Sequence, residues 1–358
     1  MLNREAVNLD SPEVYRQFDR EDMLGHLQNF PQLCHQAWQQ SMSFGLPRHY
    51  SQINKVVILG MGGSAIGGDL LSTLVFNESG VPLLICRDYD LPRYVDEETL
   101  VVASSYSGMT EETLSAFEQA FDTPAKILAV TSGGRLKALS EIENVPVFSI
   151  DYKSQPRAAL PFSFFPLLGI LQNLGILQDK ALDISETISH LNGMVEKINQ
   201  NVPAGQNPAK SLASKLYGRL PVIYGAGITA EVARRWKSQI NENSKTLAFF
   251  EVFPELNHNS VVGYGLPEEL TRQMMVVFLD ADGLHEQVHL RYEITRKLLE
   301  QAGIYYQVLK GEGARDMSQM MTLVLFGDYV SCYLAVLNQV DPTPVKAIDY
   351  IKENLSQR

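Results

Sequence analysis

The segment VVILGMGGSAIGGDLL at residues 56–71 decides the fold, because it joins an apolar run to a helix through a glycine turn. Such a continuous apolar run predicts a buried parallel strand. The glycines let the backbone turn sharply and expose N–H groups at the helix start, where anions bind. A second segment, PVIYGAGITAEVARRW at residues 221–236, repeats this order, and its Gly225 corresponds to Gly60 at a distance of 165 residues. We therefore predict two similar α/β halves.

Strand and helix patterns alternate in both halves, as in βαβ units. Residues 1–50 precede any strand pattern and are predicted to form an N-terminal helical arm. Residues 51–180 are predicted to form the first domain, with strands VVILG, PLLICR, VVASS, KILAVTS and PVFSI. Residues 181–203 are predicted to be a connecting helix. Residues 204–358 are predicted to form the second domain, with strands PVIYG, MMVVFLD and IYYQVLK and two C-terminal helices.

Composition narrows the functional classes. The formal net charge of −11 argues against nucleic-acid binding by bulk electrostatics. Three cysteines without CxxC or other metal-ligand spacing predict neither a disulfide framework nor a zinc cluster, and they fit a reducing compartment. The N-terminal residues lack an apolar leader pattern, and no run of 18 apolar residues occurs. We therefore expect a soluble, cytoplasmic protein without a membrane partner.

The strand pattern TLVVASSYSGMTEETLSAF at residues 99–117 leads into a second candidate anion site. Its apolar part is followed by Ser105, Ser107 and Thr110, and then by a helix pattern. Hydroxyl groups and free helix N–H groups at the carboxyl end of a parallel strand suit a phosphate monoester. Thr110 is also placed to cap the helix, and the two roles are compatible.

A dinucleotide site is an alternative at the first glycine turn. Gly60, Gly62 and Ala65 fit the G-x-G-x-x-A form of the Rossmann fingerprint, and Arg87 with Asp88 follows near where a ribose or 2′-phosphate is read. This pattern keeps an NAD(P)-dependent oxidoreductase open. Neither turn has the GxxxxGK[ST] order, which excludes a P-loop nucleotide hydrolase.

A candidate catalytic stretch, NENSKTLAFFEVFPELNHN, occupies residues 241–259. The preceding sequence predicts an amphipathic helix with Thr229 as N-cap and Glu242 at its end. A carboxylate there faces the negative pole of the helix dipole, so local stability does not explain it. Side chains able to donate hydrogen bonds flank Glu242 and His258, as a general acid or base requires. They are Asn241, Asn243, Ser244, Asn257 and Asn259.

The sequence His285-Glu286-Gln287-Val288-His289 matches the HExxH pattern of zinc proteases. It follows a strand pattern and a DADG turn, and no HxxGxxH extension follows. Glu300 is at most a distant third ligand. We therefore interpret both histidines as surface residues and predict no metal site.

Several motifs in one order resemble those of the bifunctional phosphoglucose/phosphomannose isomerases, which consist of two sugar isomerase (SIS) domains. They are GMGGSAIGGD (60–69), SSYSGMTEET (104–113), PRAAL (156–160), RRWKSQINENSK (234–245), ELNHN (255–259) and GDYVSCYLAVLNQVDPTPVKAIDYIK (327–352). This resemblance implies two parallel sheets, each flanked by helices. One position departs from the family pattern, which has Asn where this chain has Met109.

The resemblance also implies roles for individual residues. Glu242 matches the family's base for proton transfer through a cis-enediol, His258 its ring-opening acid/base, and Arg157 the cation beside the enediolate. Lys352, with Lys346 as the alternative, matches a lysine that assists ring opening, and Thr343 is a candidate for the room near C2 that mannose 6-phosphate needs. The positions that match the phosphate loops are Gly62, Gly63, Ser64, Ser105, Ser107 and Thr110.

The implied activity is interconversion of glucose 6-phosphate, and of mannose 6-phosphate, with fructose 6-phosphate, without metal or cofactor. The resemblance also implies a homodimer in which the segment around His258 reaches a neighbouring site. A non-catalytic SIS sugar-phosphate sensor is a further alternative. It would carry an effector or DNA-binding domain, and the first 50 residues are too short and too weakly basic for a helix-turn-helix module.

Overall fold

A computed structural model describes residues 7–355. These residues divide into two compact units. The first unit consists of residues 29–189 and 315–318, and the second of residues 7–28, 190–314 and 319–355. The domain boundaries expected at residues 50, 180 and 203 stay predictions.

Helices and strands alternate along the described chain. The strands are β1 (Lys55–Leu59), β2 (Leu83–Cys86), β3 (Thr99–Ser104), β4 (Lys126–Thr131), β5 (Val147–Ser149), β6 (Leu220–Ala226), β7 (Phe249–Phe253), β8 (Met274–Asp280) and β9 (Tyr305–Lys310). The helices are α1 (Pro12–Phe18), α2 (Met23–Gln28), α3 (Phe30–Met42), α4 (Gly62–Leu74), α5 (Glu111–Ala120), α6 (Gly134–Ile142), α7 (Leu160–Asn173), α8 (Ala181–Ile198), α9 (Pro208–Leu216), α10 (Ala230–Ser244), α11 (Glu268–Thr271), α12 (Glu286–Gln301), α13 (Asp316–Leu337) and α14 (Lys346–Leu355).

The first unit contains a parallel sheet of five strands in the order β2-β1-β3-β4-β5. Strand β3 is buried along its whole length, which explains its continuous apolar sequence. The chain moves from β1 to one side for β2 and then to the other side for β3. Ligands in open α/β sheets bind at such a switch point, outside the carboxyl ends of the strands. The first glycine turn and the SSYSG loop therefore border one crevice.

The second unit contains a parallel sheet of four strands in the order β7-β6-β8-β9. The two sheets, each made of parallel strands, confirm the predicted α/β fold. Strand β7 is absent from the sequence-based prediction. Its sequence FFEVF forms an edge strand in which Phe249 is exposed and the next three residues are half-buried, so it lacks the continuous apolar pattern of a central strand.

Helix α13 is the core helix of the second unit. Among residues 7–355 it alone is long and apolar enough to cross a membrane, and its most apolar stretch is wholly buried inside the protein. Trp236 of α10 is fully buried against α13, and its indole Nε1 donates to Leu323 O at 2.9 Å. A Cβ atom at Gly327 would overlap the Trp236 ring, so only glycine admits this indole.

We expect Gly327→Ala to destabilise the protein by at least about 2 kcal/mol, because the added methyl overpacks a rigid indole. The matched control is Gly193→Ala in α8, where a Cβ atom would meet nothing within 4 Å. That change should be neutral or stabilise by up to about 1 kcal/mol, because alanine favours the helix. Thermal denaturation of both variants measures the difference. Equal effects of the two substitutions would contradict the proposed close packing.

Candidate active site

The first glycine turn of the first unit brings two backbone segments into contact. Gly62 begins α4 with φ +49°, a conformation that favours glycine. A Cβ atom at Gly63 would lie 2.9 Å from Pro156 O and 3.1 Å from Arg157 N. The turn after β1 and the segment before α7 can therefore meet only because residue 63 lacks a side chain.

The hydroxyl groups predicted to bind phosphate lie beside this turn. Ser64 accepts the N–H of Tyr106 at 3.0 Å, and the hydroxyls of Ser105 and Thr110 lie 2.9 Å apart. Thr110 occupies the N-cap position of α5, but its side chain makes no capping hydrogen bond. The expectation that Thr110 also caps the helix is therefore wrong, because its hydroxyl pairs with Ser105. The first N–H groups of α5 remain open to an anion.

Ser107 and Arg157 complete the first set of predicted residues. Ser107 is exposed, and its hydroxyl accepts the N–H of Met109 at 3.2 Å. Arg157 is buried, with 4% of its surface exposed, between β5 and α7. Its backbone touches the Gly63 turn, as the close approach at that glycine requires. The structure thus gathers these predicted residues at one edge of the first sheet.

Met109, the departure from the family pattern, contacts the start of α6. Its side chain is 62% exposed, and its sulfur accepts the N–H of Arg135 at 3.3 Å. The thioether thereby satisfies one donor at the start of α6. The Met109 side chain therefore fits beside the glycine turn that follows β4.

Glu242 lies half-buried in the last turn of α10, in the second unit. Lys245 ends the helix with φ +52°, and its ammonium lies 2.7–3.2 Å from the carbonyl oxygens of Glu242, Asn243, Asp341 and Pro342. This cation occupies the negative pole of the helix dipole. It therefore offsets the unfavourable position of the carboxylate, which the sequence pattern left unexplained.

The amide and hydroxyl side chains around Glu242 form hydrogen bonds to the neighbouring backbone and to α13. Asn241 donates to Thr246 O at 2.8 Å, Ser244 donates to Ile240 O at 2.6 Å, and Asn243 donates to Ser331 of α13 at 2.9 Å. These hydrogen bonds fix the helix end from which Glu242 projects.

His258 lies in a 3-10 turn, Glu255–His258, directly after β7. Asn257 ties this turn to α12, because its amide donates to Thr295 at 2.9 Å and accepts from Arg291 at 3.2 Å. Asn259 contacts Glu255 within the same loop. His258 itself is exposed. The loop is therefore anchored on both sides of a histidine that faces outward.

The topology separates Glu242 from His258 within one chain. Helix α10 returns from the carboxyl end of β6 to the amino end of β7, as a parallel crossover must. Glu242 thus precedes β7, whereas His258 follows it. A five-residue strand spans about 16 Å, so the two side chains lie beyond opposite ends of β7.

Thr343 and Lys352 follow the segment that Lys245 binds. Thr343 is buried, and its N–H donates to Asp341 at 2.9 Å. Lys245 thereby connects the end of α10 to the loop that carries Thr343. Lys346 and Lys352 are both exposed on α14, so the choice between them stays open.

The HExxH match does not form a metal site. His285 lies before α12 and caps it, because its Nδ1 accepts the N–H of Gln287 at 3.1 Å. His289 lies 3.3 Å from Asp280. No group of three potential ligands from His, Cys, Asp and Glu occurs in the part of the chain that the structure describes. The interpretation as surface histidines fits this arrangement.

The arginine that a dinucleotide site would use is already paired with a carboxylate. Arg87, which follows β2, forms an ion pair with Asp69 of α4, and Asp69 is buried. A 2′-phosphate at this edge would have to displace a carboxylate that already neutralises the guanidinium.

The chain is similar in sequence and in fold to known proteins. Residues 205–355 match the model of the bacterial phospho-glucose isomerase C-terminal SIS domain. A bifunctional phosphoglucose/phosphomannose isomerase of Caldicellulosiruptor bescii is 43% identical over 94% of this chain and 99% of its own length. One of Aquifex aeolicus is 38% identical over 84% of this chain and 90% of its own length. The solved structure of a hypothetical protein from Thermus thermophilus is 17% identical, with a TM-score of 0.73 over 97% of this chain and 92% of that chain.

We expect Thr110→Val to weaken binding of inorganic phosphate by about 10-fold, because it removes a hydroxyl that adjoins the open N–H groups of α5. The same change should lower the unfolding free energy by about 1 kcal/mol, since it removes the hydrogen bond to Ser105 but no helix cap. Calorimetric titration and thermal denaturation test the two parts. Thr123→Val, which removes a hydroxyl bonded to Ala120 O at the other end of α5, is the control. Unchanged phosphate affinity in a folded Thr110→Val variant would place the anion elsewhere.

Proposed function

Because the chain belongs to the bifunctional phosphoglucose/phosphomannose isomerase family, we propose that it interconverts glucose 6-phosphate and mannose 6-phosphate with fructose 6-phosphate. The observation that carries this proposal is the anion site of the first unit. A glycine turn, a pair of hydroxyls and an open helix N-terminus lie at one switch point, against the backbone of a buried arginine. This arrangement suits the phosphate of a sugar, with the carbon chain extending toward Arg157.

The chemistry requires ring opening and then proton transfer between C2 and C1 through a cis-enediol. We assign the transfer to Glu242, whose helix end is fixed by Lys245 and Asn243, because a base must hold one position across both carbons. Arg157 would stabilise the enediolate oxygens, and burial strengthens that interaction. Because the enediol loses the configuration at C2, both aldoses can share it, and we assign the room near C2 to buried Thr343.

Ring opening is assigned to His258, assisted by Lys352 or by Lys346. Proton transfers of this kind need acids and bases but neither metal nor redox cofactor. The phosphate loops, with Gly62, Gly63, Ser64, Ser105, Ser107 and Thr110, contribute binding energy far from the reacting carbons. That energy positions C1 and C2 for the base.

We further propose a homodimer in which His258 serves the site of the other subunit. Two observations support it. Glu242 and His258 lie beyond opposite ends of strand β7, so the second sheet of one chain cannot present both side chains to a single sugar. The segment after His258 also exposes large apolar side chains, with Val262 86% and Leu266 80% exposed. Exposed apolar residues next to a catalytic loop are typical of an interface.

A cytoplasmic location is part of the same proposal. Cys34, Cys86 and Cys332 form no disulfide in the described residues, and burial raises the pKa of the Cys34 thiol well above its usual value. Cysteines that remain as thiols fit a reducing compartment.

We expect Glu242→Gln to lower turnover of both aldose phosphates by roughly 100-fold or more, because the amide keeps the shape and removes the base. Substrate affinity should change little. The measurement is steady-state isomerisation of each aldose phosphate in the presence of EDTA, which also tests metal independence. The control is Glu286→Gln, which changes an exposed carboxylate in the first turn of α12. Near-normal turnover of either sugar by Glu242→Gln would disprove the assignment.

The shared site predicts complementation between two inactive variants. In a mixed dimer of Glu242→Gln and His258→Ala chains, one site regains both wild-type side chains and the other loses both. Random exchange of subunits should therefore restore about a quarter of wild-type activity. The mixture is assayed after mild dissociation and reassociation, and light scattering checks the dimer. If the mixture stays as inactive as its components although mixed dimers form, His258 does not act across subunits.

A further inference from the structure

Tyr106 contacts three segments at the switch point of the first sheet. Its backbone N–H donates to Ser64 Oγ at 3.0 Å, at the glycine turn. Its carbonyl oxygen accepts from both Ser132 N at 3.0 Å and Ser132 Oγ at 2.6 Å, in the loop after β4. These backbone contacts hold the phosphate loop independently of the Tyr106 side chain.

The phenol of Tyr106 reaches the third segment, which leads to Arg157. The hydroxyl donates to Tyr152 O at 2.5 Å and accepts the N–H of Ser154 at 2.9 Å. The Tyr152 ring is stacked on Phe162 of α7, with ring centroids 5.4 Å apart. One hydroxyl thus satisfies a carbonyl and an N–H group of the same irregular segment.

This segment needs such a partner. Residues 151–154 lie between β5 and the turn that precedes α7, outside any strand or helix. Their backbone groups therefore lack the regular ladder that fixes a strand or helix. Beyond them, the backbone of Pro156 and Arg157 rests against Gly63. The segment is held at one end by the glycine contact and at the other by the phenol.

We propose that Tyr106 is a positioning residue that fixes Arg157 relative to the phosphate loop, an inference that rests on the proposed function. The backbone of Tyr106 serves the phosphate loop, and its side chain serves the arginine segment. Loss of the hydroxyl should therefore leave phosphate binding intact and displace the guanidinium. Small displacements of a catalytic group reduce turnover strongly, because the reaction depends on orientation.

The test is Tyr106→Phe, which removes the hydroxyl and keeps the ring. We expect kcat to fall by about 10-fold for both aldose phosphates, with KM changed less than about 2-fold. Hydrogen exchange should become faster in residues 152–157 and stay unchanged in the phosphate loop, because Ser154 N–H loses its acceptor. Tyr94→Phe, at a half-exposed tyrosine of the same unit, is the control and should alter none of these values. A rise in KM without a fall in kcat, or unchanged exchange, would overturn the inference.

A double-mutant cycle shows whether Tyr106 acts through Arg157. Combined with Arg157→Lys, the Tyr106→Phe change should reduce kcat by less than about 2-fold further, because the guanidinium it positions is already gone. Full additivity of the two effects would overturn the inference and leave the proposed function intact. If Arg157→Lys alone keeps normal turnover, the proposed role of Arg157 fails and the inference fails with it. If Arg157→Lys does not fold, the kcat and exchange results of the single variant decide.

Discussion

The buried carboxylate of Asp328 in α13 determines where α10 lies, and with it the proposed base. Arg235 donates to both oxygens of Asp328, at 3.1 and 2.6 Å, and Gln239 donates to one of them at 2.9 Å. One turn further, Asn243 donates to Ser331. These α10 residues are spaced by four, so they form one polar stripe that faces α13. Only one rotation and one axial position of α10 satisfy all three.

This network serves register more than stability. Removing one member of a buried ion pair costs about 3–5 kcal/mol, whereas an apolar replacement of both partners is often neutral. The Trp236 indole, which packs on Gly327 and donates to Leu323 O, fixes the same register of α10 against α13. Glu242 lies one residue before Asn243, so the same contacts fix the position of its backbone. Lys245 then secures the last turn to the loop of Thr343, so the scaffold and the site share the same contacts.

The sequence was sufficient for the α/β fold, and it named candidate residues whose contacts only the structure reveals. Predominantly apolar runs predicted eight of the nine strands in the described residues. Edge strand β7 was not predicted, because its exposed Phe249 and central Glu251 break the apolar pattern. Thr110 stood where a cap belongs, and only the three-dimensional proximity of Ser105 explains why it does not cap α5. The role of Lys245 was hidden because two of its carbonyl partners, Asp341 and Pro342, lie about a hundred residues away.

The two halves share an order of elements but diverge at their switch points. In the first unit, Gly62 begins α4 with open N–H groups, and neighbouring hydroxyls surround an accessible edge. In the second unit, Gly227 has nearly the same backbone angle, φ +48°. There the Thr229 hydroxyl takes the N–H of Ala226 at 2.9 Å, and Leu284 would lie 3.1 Å from a Cβ atom at Gly227. An internal acceptor and an apolar side chain thus close the second turn to anions, since a phosphate there would need both the N–H and the space. Duplication of the fold therefore does not duplicate the proposed phosphate site, and His258 follows the carboxyl end of β7 in the second sheet.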